Sequence, residues 1–330
     1  MAPVLKIALC QLSPKAASVA ENFAIAESFL RSAAVNGCRL AVLPEFHLTA
    51  WEPEHPEFFA ATRKLKSYLA RYQAFARELD INIVPGTICE AYLGDSGKED
   101  LRNGAYFLAA GTGEICGSYQ KKNLWHPERP HFTPGRALHL AFDTPLRHAD
   151  GQPLRAGFLI CWDLSFPESF RALIHDGADL TIIPAFWSTA GGEDVRGLNA
   201  GVEETFLSSV LTARAFENNA IVAFCNAGGL SRVSLPIMRA LGSVPPGEDK
   251  VEVVDVDLNV LRVAEERHKI RKDMQGLDYH YKKSVKVDID IAKVILDLEF
   301  QASQDIRTPV RLSLIEKAHR VPRLLSRDNG

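Results

Sequence analysis

The sequence predicts an α/β fold of layered, mixed sheets. Three observations carry that prediction. Apolar, β-branched runs alternate with stretches of helical periodicity along most of the chain. One segment reads as a β-hairpin, so the sheets are not purely parallel. The chain has 330 residues, 46% hydrophobic and 24% charged, which is ordinary globular composition and enough length to bury a large core without staples.

The elements follow in order. Val4 to Cys10 is an apolar run and a candidate buried strand. Ser18 and Glu21 have capping-box spacing, Phe23, Ala26, Leu30 and Ala33 repeat at helical period, and Gly37 stands where a helix ends. Leu40 to Leu43 is the next strand and runs into Pro44-Glu45. A long helix is expected over 57–79 and a strand over 81–88. Gly104 to Ala110 and Glu114 to Tyr119 flank Gly111-Thr112-Gly113 as the hairpin. Ala156 to Ile160 forms a strand ending at Cys161. A helix over 167–175 closes at Gly177, and Leu180 to Ile183 is again a strand. The helix 202–218 leads to the strand 220–225, and a strand over 250–256 precedes a helix over 258–269. Loops are expected over 94–100, 125–136, 188–199 and 245–249. The last 45 or so residues are less regular and rich in charge. This divides the chain into one domain over 1–285 and a tail over 286–330 that needs a surface to cover its apolar groups.

Composition excludes several function classes. A net charge of −3 is not the basic footprint of a nucleic-acid binder. No apolar run reaches the ~18 residues that span a bilayer, and no long apolar leader with a cleavage site opens the chain. A cytoplasmic protein is expected. Six scattered cysteines, with no C-x-x-C pair, suggest neither a zinc site nor a disulfide scaffold. Cys10, Cys38, Cys89, Cys116 and Cys225 read as small buried hydrophobes.

Three reactive residues lie at or just beyond the ends of apolar strands, where α/β sheets place their ligands. Glu45 follows Leu40-Ala41-Val42-Leu43-Pro44. Lys121 follows the hairpin strand. Cys161 follows Ala156-Gly157-Phe158-Leu159-Ile160 and precedes a helix. A strand-to-helix turn lifts a nucleophile above a sheet and leaves the next amide, that of Trp162, free for an oxyanion. Helix-terminal amides also favour a thiolate. Each residue alone has a bland alternative: a strand-end cysteine, a loop acid, a solvated lysine pair at Lys121-Lys122.

Taken together, Leu43-Pro44-Glu45, Tyr119-Gln120-Lys121 and Leu159-Ile160-Cys161-Trp162-Asp163-Leu164-Ser165-Phe166-Pro167-Glu168 resemble the three successive motifs of the nitrilase superfamily. Gly135-Arg136 with Phe142, Ala178-Asp179-Leu180 to Pro184, and Arg214-Ala215-Phe216-Glu217-Asn218-Asn219 with Asn226 and Gly228 extend the resemblance to about residues 4–272. Two departures stand out. Asn123 occupies a position where the family often has His. Ser231 to Met238 lacks the family's Asp-Pro-x-Gly turn.

The resemblance implies a nitrilase-like four-layer α-β-β-α sandwich. It also implies a cysteine hydrolase of carbon–nitrogen bonds that needs no metal or cofactor. In that reading Cys161 attacks an amide carbonyl or nitrile carbon, Glu45 takes the thiol proton and later activates water, and Lys121 with the Trp162 amide holds the oxyanion. Glu128 resembles a second family glutamate that positions the lysine and substrate. Trp125, Trp187 and Phe186 are candidate pocket walls or else core aromatics, and for Phe186 the core reading is favoured. A small amide is the leading substrate class, because Asp163 rather than Glu follows Trp162; carbamoyl amides and nitriles are the alternatives. A catalytically silent binding module is disfavoured by the presence of all three motif residues. Cys–His chemistry is disfavoured because no Asn or Asp pattern accompanies His126, His131, His139, His148 or His175. The family resemblance further implies a homodimer, packed through the helix after the nucleophile and the helix 202–218, with the tails crossing over.

Overall fold

The computed structural model describes residues 4–93, 99–190, 197–276 and 279–281. Residues 1–278 form one compact unit, which holds every element named below. Of the second unit, 279–330, the described part is 279–281, where the rings of Tyr279 and Tyr281 meet edge-on. The tail expected over 286–330 lies outside the described residues.

Two sheets share one plan: three central parallel strands with helical crossovers, flanked by antiparallel strands. In the first, β1 (Val4–Gln11), β2 (Leu40–Val42) and β3 (Asn82–Val84) run parallel. The crossovers are α1 (Val19–Val35), then α2 (Phe58–Thr62) with α3 (Lys66–Glu78). β4 (Ile88–Leu93) and β6 (Ile115–Gln120) pair with β5 (Glu99–Leu108), which is antiparallel to β3. In the second, β8 (Pro153–Phe158), β9 (Leu180–Ala185) and β10 (Ile221–Asn226) run parallel, joined by α4 (Pro167–His175) and α5 (Val202–Asn218). β7 (Phe142–Arg147) lies outside β8, and β11 (Ser231–Ser234) with β12 (Leu241–Val244) lies outside β10. β13 (Lys250–Asp257) returns to pair antiparallel with β1, before α6 (Asn259–His268) and α7 (Ile270–Gln275).

Every residue of β2, β9 and β10 is buried, as expected of central strands covered on both faces. The sheets pack on each other: the Cys225 thiol of β10 donates to the Val42 carbonyl of β2 at 3.1 Å. α1 covers β1 and β13, and α5 covers β10. This is the expected α-β-β-α sandwich.

Several local expectations need correction. Ser18 does not cap α1: its hydroxyl donates to the Ala16 carbonyl, and Glu21 pairs with Lys15. The helix over 57–79 is broken between Thr62 and Lys66, where Leu65 N–H bonds the Thr62 carbonyl and Thr62 and Ser67 hydroxyls bond carbonyls three residues back. The strand over 81–88 is two strands, because Pro85-Gly86 turns the chain between β3 and β4. Glu99 and Asp100 belong to β5 rather than to a loop; residues 94–98 lie outside the described set, as do 191–196 of the loop expected over 188–199. β7, β11 and β12 were not expected. β7 contains Pro145 and is an edge strand, the place a sheet tolerates proline.

Candidate active site

Glu45 sits just past the end of β2, 1% exposed. The backbone there is tight. Phe46 has a left-handed φ of 51°, and Gly86 approaches so closely that a Cβ on it would stand 1.9 Å from the Pro44 carbonyl oxygen. That approach presses the turn after β3 against the turn carrying Glu45. Three donors meet the carboxylate. Oε1 accepts from Asn103 Nδ2 at 2.8 Å and Lys121 Nζ at 2.8 Å, and Oε2 accepts from the Phe186 amide at 3.1 Å.

Lys121 follows β6 and is 1% exposed. Its amide donates to the Asn103 carbonyl at 2.9 Å, and its own carbonyl accepts from the Gly135 amide at 2.8 Å. Its ammonium bridges two acids, Glu45 at 2.8 Å and Glu128 at 2.7 Å. Glu128, 2% exposed, closes a short 3-10 helix, His126–Glu128, and its other contact is the Trp125 amide at 2.6 Å. Lys122 takes no part in this pairing; it lines a separate cavity of about 350 Å³ with Arg129, Trp162 and Phe166. Alternation along extended backbone explains why only one of the two lysines reaches the acids.

Cys161 opens a five-residue 3-10 helix, Cys161–Ser165, between β8 and α4. Its φ is 44°, a left-handed conformation that costs a β-carbon-bearing residue on the order of 1–3 kcal/mol and persists only where surroundings enforce it. Asp163 bonds across this turn. This fully buried carboxylate accepts from the Ile160 amide at 2.9 Å and the Tyr119 hydroxyl at 2.8 Å through Oδ2. Through Oδ1 it accepts from the Asn123 amide at 3.0 Å and Asn123 Nδ2 at 2.8 Å. The elbow expected at Cys161 is present, but α4 begins only at Pro167, so the amides beside the thiol belong to the 3-10 turn, where the Trp162 N–H lies in the first turn.

Burial governs the electrostatics. It pushes the Cys161 thiol well above the ordinary cysteine range; Glu45 adds to the rise, and Lys121 opposes it. That direction is opposite to the one helix-terminal amides alone would favour. Burial pulls Lys121 down, but Glu45, Cys161 and Glu128 outweigh it, so the ammonium holds its proton more tightly than an ordinary lysine does. Burial lifts Glu128 to about 7 against the pull of Lys121. Asp163 is also raised by burial, its hydrogen bonds opposing.

Glu45, Lys121, Glu128 and Cys161 thus converge from loops that follow both sheets. Of the aromatic candidates, Trp187 lies tilted against Trp162 at 5.2 Å between ring centres and donates its indole N–H to Glu203 at 2.8 Å. Phe186 offers its amide to Glu45 while its ring packs toward Phe46 at 6.3 Å. Trp125 contributes its backbone; its ring is 43% exposed. Sequence reasoning missed Asn103, a buried amide in a strand of mixed polar and apolar residues, and the bonds that Asp163 accepts. Asn103 lies one residue before the hairpin strand expected from Gly104, so no sequence signal marked it. Cys116 is half-buried, unlike the other four spare cysteines, which are buried.

A family model described as carbon-nitrogen hydrolase matches residues 6–266. A nitrilase of Pyrococcus abyssi is 26% identical over 262 residues, 78% of this chain and 92% of that protein. An (R)-stereoselective amidase of a Pseudomonas species is 33% identical over 166 residues, 48% of this chain and 54% of that protein. Among solved structures, an amidase from Nesterenkonia is 26% identical with a TM-score of 0.61, covering 78% of this chain and 92% of the other. Saccharomyces cerevisiae Nit3, at 21% identity, shares the fold with a TM-score of 0.65 over 80% of this chain and 94% of its own.

Proposed function

The chain belongs to the carbon–nitrogen hydrolase family, an amidase/nitrilase-type enzyme that hydrolyses C–N bonds, and from that premise we propose that it is a cysteine amidase of small linear amides working through Cys161, Glu45 and Lys121. The observation that carries the proposal is the buried Glu45–Lys121–Glu128 array, whose charges are those that act most on the Cys161 thiol.

The chemistry follows from those charges. Lys121 is held as an ammonium by two acids, so it is no base; it is a fixed cation for a developing oxyanion. A thiol raised by burial needs a base at the moment of attack, and Glu45 is the carboxylate placed to serve. Cys161 Sγ adds to the amide carbon as its proton passes to Glu45. The oxyanion is met by Lys121 Nζ and the Trp162 amide. The proton goes on to the nitrogen, the C–N bond breaks and ammonia leaves. Glu45 then takes a proton from water, which attacks the thioester and frees the acid and the thiol. Glu128 and Asn103 hold Lys121 and Glu45 in place.

A mutant of the Nesterenkonia amidase, 25% identical to this chain, shows covalent addition of the acetamide moiety of fluoroacetamide at its active-site cysteine, which supports a cysteine nucleophile here by analogy. Carbamoyl amides are the second reading, because the same three groups serve them. The test is ammonia release from a panel of small amides, carbamoyl amino acids and nitriles. Cys161→Ala should abolish it and Cys161→Ser nearly so; purified Cys161→Ala retaining more than about a tenth of wild-type turnover refutes the assignment.

A further inference from the structure

We propose that Asp163, gripped by Tyr119 and Asn123, is a positioning residue that fixes the Lys121 ammonium relative to the Cys161 thiol. The proposal rests on the reading of Cys161 and Lys121 as an active site.

The geometry is bilateral. On the nucleophile side, Asp163 accepts from the Ile160 amide, the residue before Cys161, and itself stands two residues after it. On the lysine side it accepts from Tyr119 and Asn123, two residues before and two after Lys121. These two sides belong to different sheets: Tyr119 lies in β6 of the first, and Ile160 follows β8 of the second. The other bonds of the Lys121 backbone, to Asn103 and Gly135, hold it within its own neighbourhood and do not reach the elbow. The four bonds to Asp163 do. Both oxygens are used twice, so the carboxylate has no slack, and it is fully buried, so water does not substitute for a lost donor.

Asn123 is the telling member. From one residue it gives two donors, backbone and side chain, to the same Oδ1 at 3.0 and 2.8 Å. The side chain's contribution can be removed while the backbone contact stays. That makes it a gentler probe than Asp163, whose replacement would orphan several buried donors at once.

The experiment uses the full chain as wild type, Asn123→Leu, Asn123→His and Tyr119→Phe. Three quantities are read: kcat and KM for the panel member that wild type turns over fastest, the rate of Cys161 alkylation by iodoacetamide followed by mass spectrometry, and Tm. Asn123→Leu should lower kcat by roughly 10–100-fold, because displacement of a reacting group by about 1 Å costs on that order. KM should stay within about threefold, alkylation should slow by several-fold as the cation moves from the thiol, and Tm should hold within a few degrees. Asn123→His, which keeps a ring N–H donor, should recover most of kcat and of the alkylation rate. Tyr119→Phe should fall in between. Wild-type behaviour of Asn123→Leu in both kcat and alkylation overturns the proposal. So does failure of the His variant to recover either, or a Tm drop that accounts for the losses. If wild type releases ammonia from no member of the panel, the functional reading fails, and the positioning role is then decided by the alkylation rates alone.

Discussion

Replacing Lys121 by methionine keeps most of the side-chain volume and removes the one cation between two buried acids. Glu45 and Glu128 are 1% and 2% exposed, and both bond to the same ammonium, at 2.8 and 2.7 Å. Removing one partner of a buried ion pair costs roughly 3–5 kcal/mol, because the remaining charge is left without compensation. At about 2 °C per kcal/mol for a chain of this size, Tm at neutral pH should fall by roughly 6–10 °C. The loss should depend on pH in one direction. Burial holds Glu128 at about 7, above its ordinary 4.5. A carboxyl raised in the folded state binds its proton more tightly there than when unfolded. Its contribution is therefore fully present below the ordinary value and is lost as pH rises through the folded one. Without the ammonium the folded value climbs further, so the deficit of the variant widens between pH 5 and pH 8. Thermal melts of both chains at pH 5, 6, 7 and 8 measure it. A Tm difference that stays constant across that range refutes the view that two buried acids depend on this lysine. Turnover should fall on the order of 10²–10³-fold, as for loss of an oxyanion donor.

Other outcomes follow from the same geometry. Lys122→Ala should leave kcat within about threefold of wild type, since Lys122 lies outside the acid pair; a crippled Lys122→Ala would show that the register of the lysines is wrong. His47 is fully buried against the Tyr72 hydroxyl at 2.7 Å, and burial lowers it from 6.5 to about 3. The unfolded chain then binds a proton that the folded one refuses, so stability present above pH 6.5 is lost as pH falls toward 3, by up to roughly 5 kcal/mol. His47→Gln should flatten the acid side of a Tm-versus-pH curve, and parallel curves would rule the histidine out. Assembly as a homodimer is tested by light scattering at assay concentration, where a mass of 36.4 kDa for the fully active enzyme would defeat it.

Much of this site was legible in the sequence because two of its residues, Glu45 and Cys161, end apolar runs, and Lys121 follows a hairpin strand. Burial of β2 and β8 leaves few alternatives for Glu45 and Cys161, since the strand end is the first point at which the chain can present a polar group. What was not legible depends on partners distant in sequence. Asn103 becomes informative only when β5 is known to extend back to Glu99, which brings its amide to Glu45 across 58 residues of chain. Ser18 and Glu21 have the spacing of a capping box, yet a lysine and a nearby carbonyl compete successfully for them, a contest that periodicity does not register. β11 lies where the sequence departs from the resembled pattern, and it is held by pairing with β10, as β12 is by pairing with β11, rather than marked by their own short runs.

The left-handed turn at Cys161 has a consequence for the chain before it is complete. Three of the contacts around this thiol join distant segments: Glu45 to Lys121 across 76 residues, Glu45 to Phe186 across 141, Tyr119 to Asp163 across 44. A nascent chain that has made only β1 to β6 carries Glu45 and Lys121 but not Cys161. A misfolded one that exposes Cys161 carries a cysteine apart from both. On the proposed reading, hydrolysis therefore waits for the two sheets to dock, and unfinished or damaged copies hold the residues of the site without its activity.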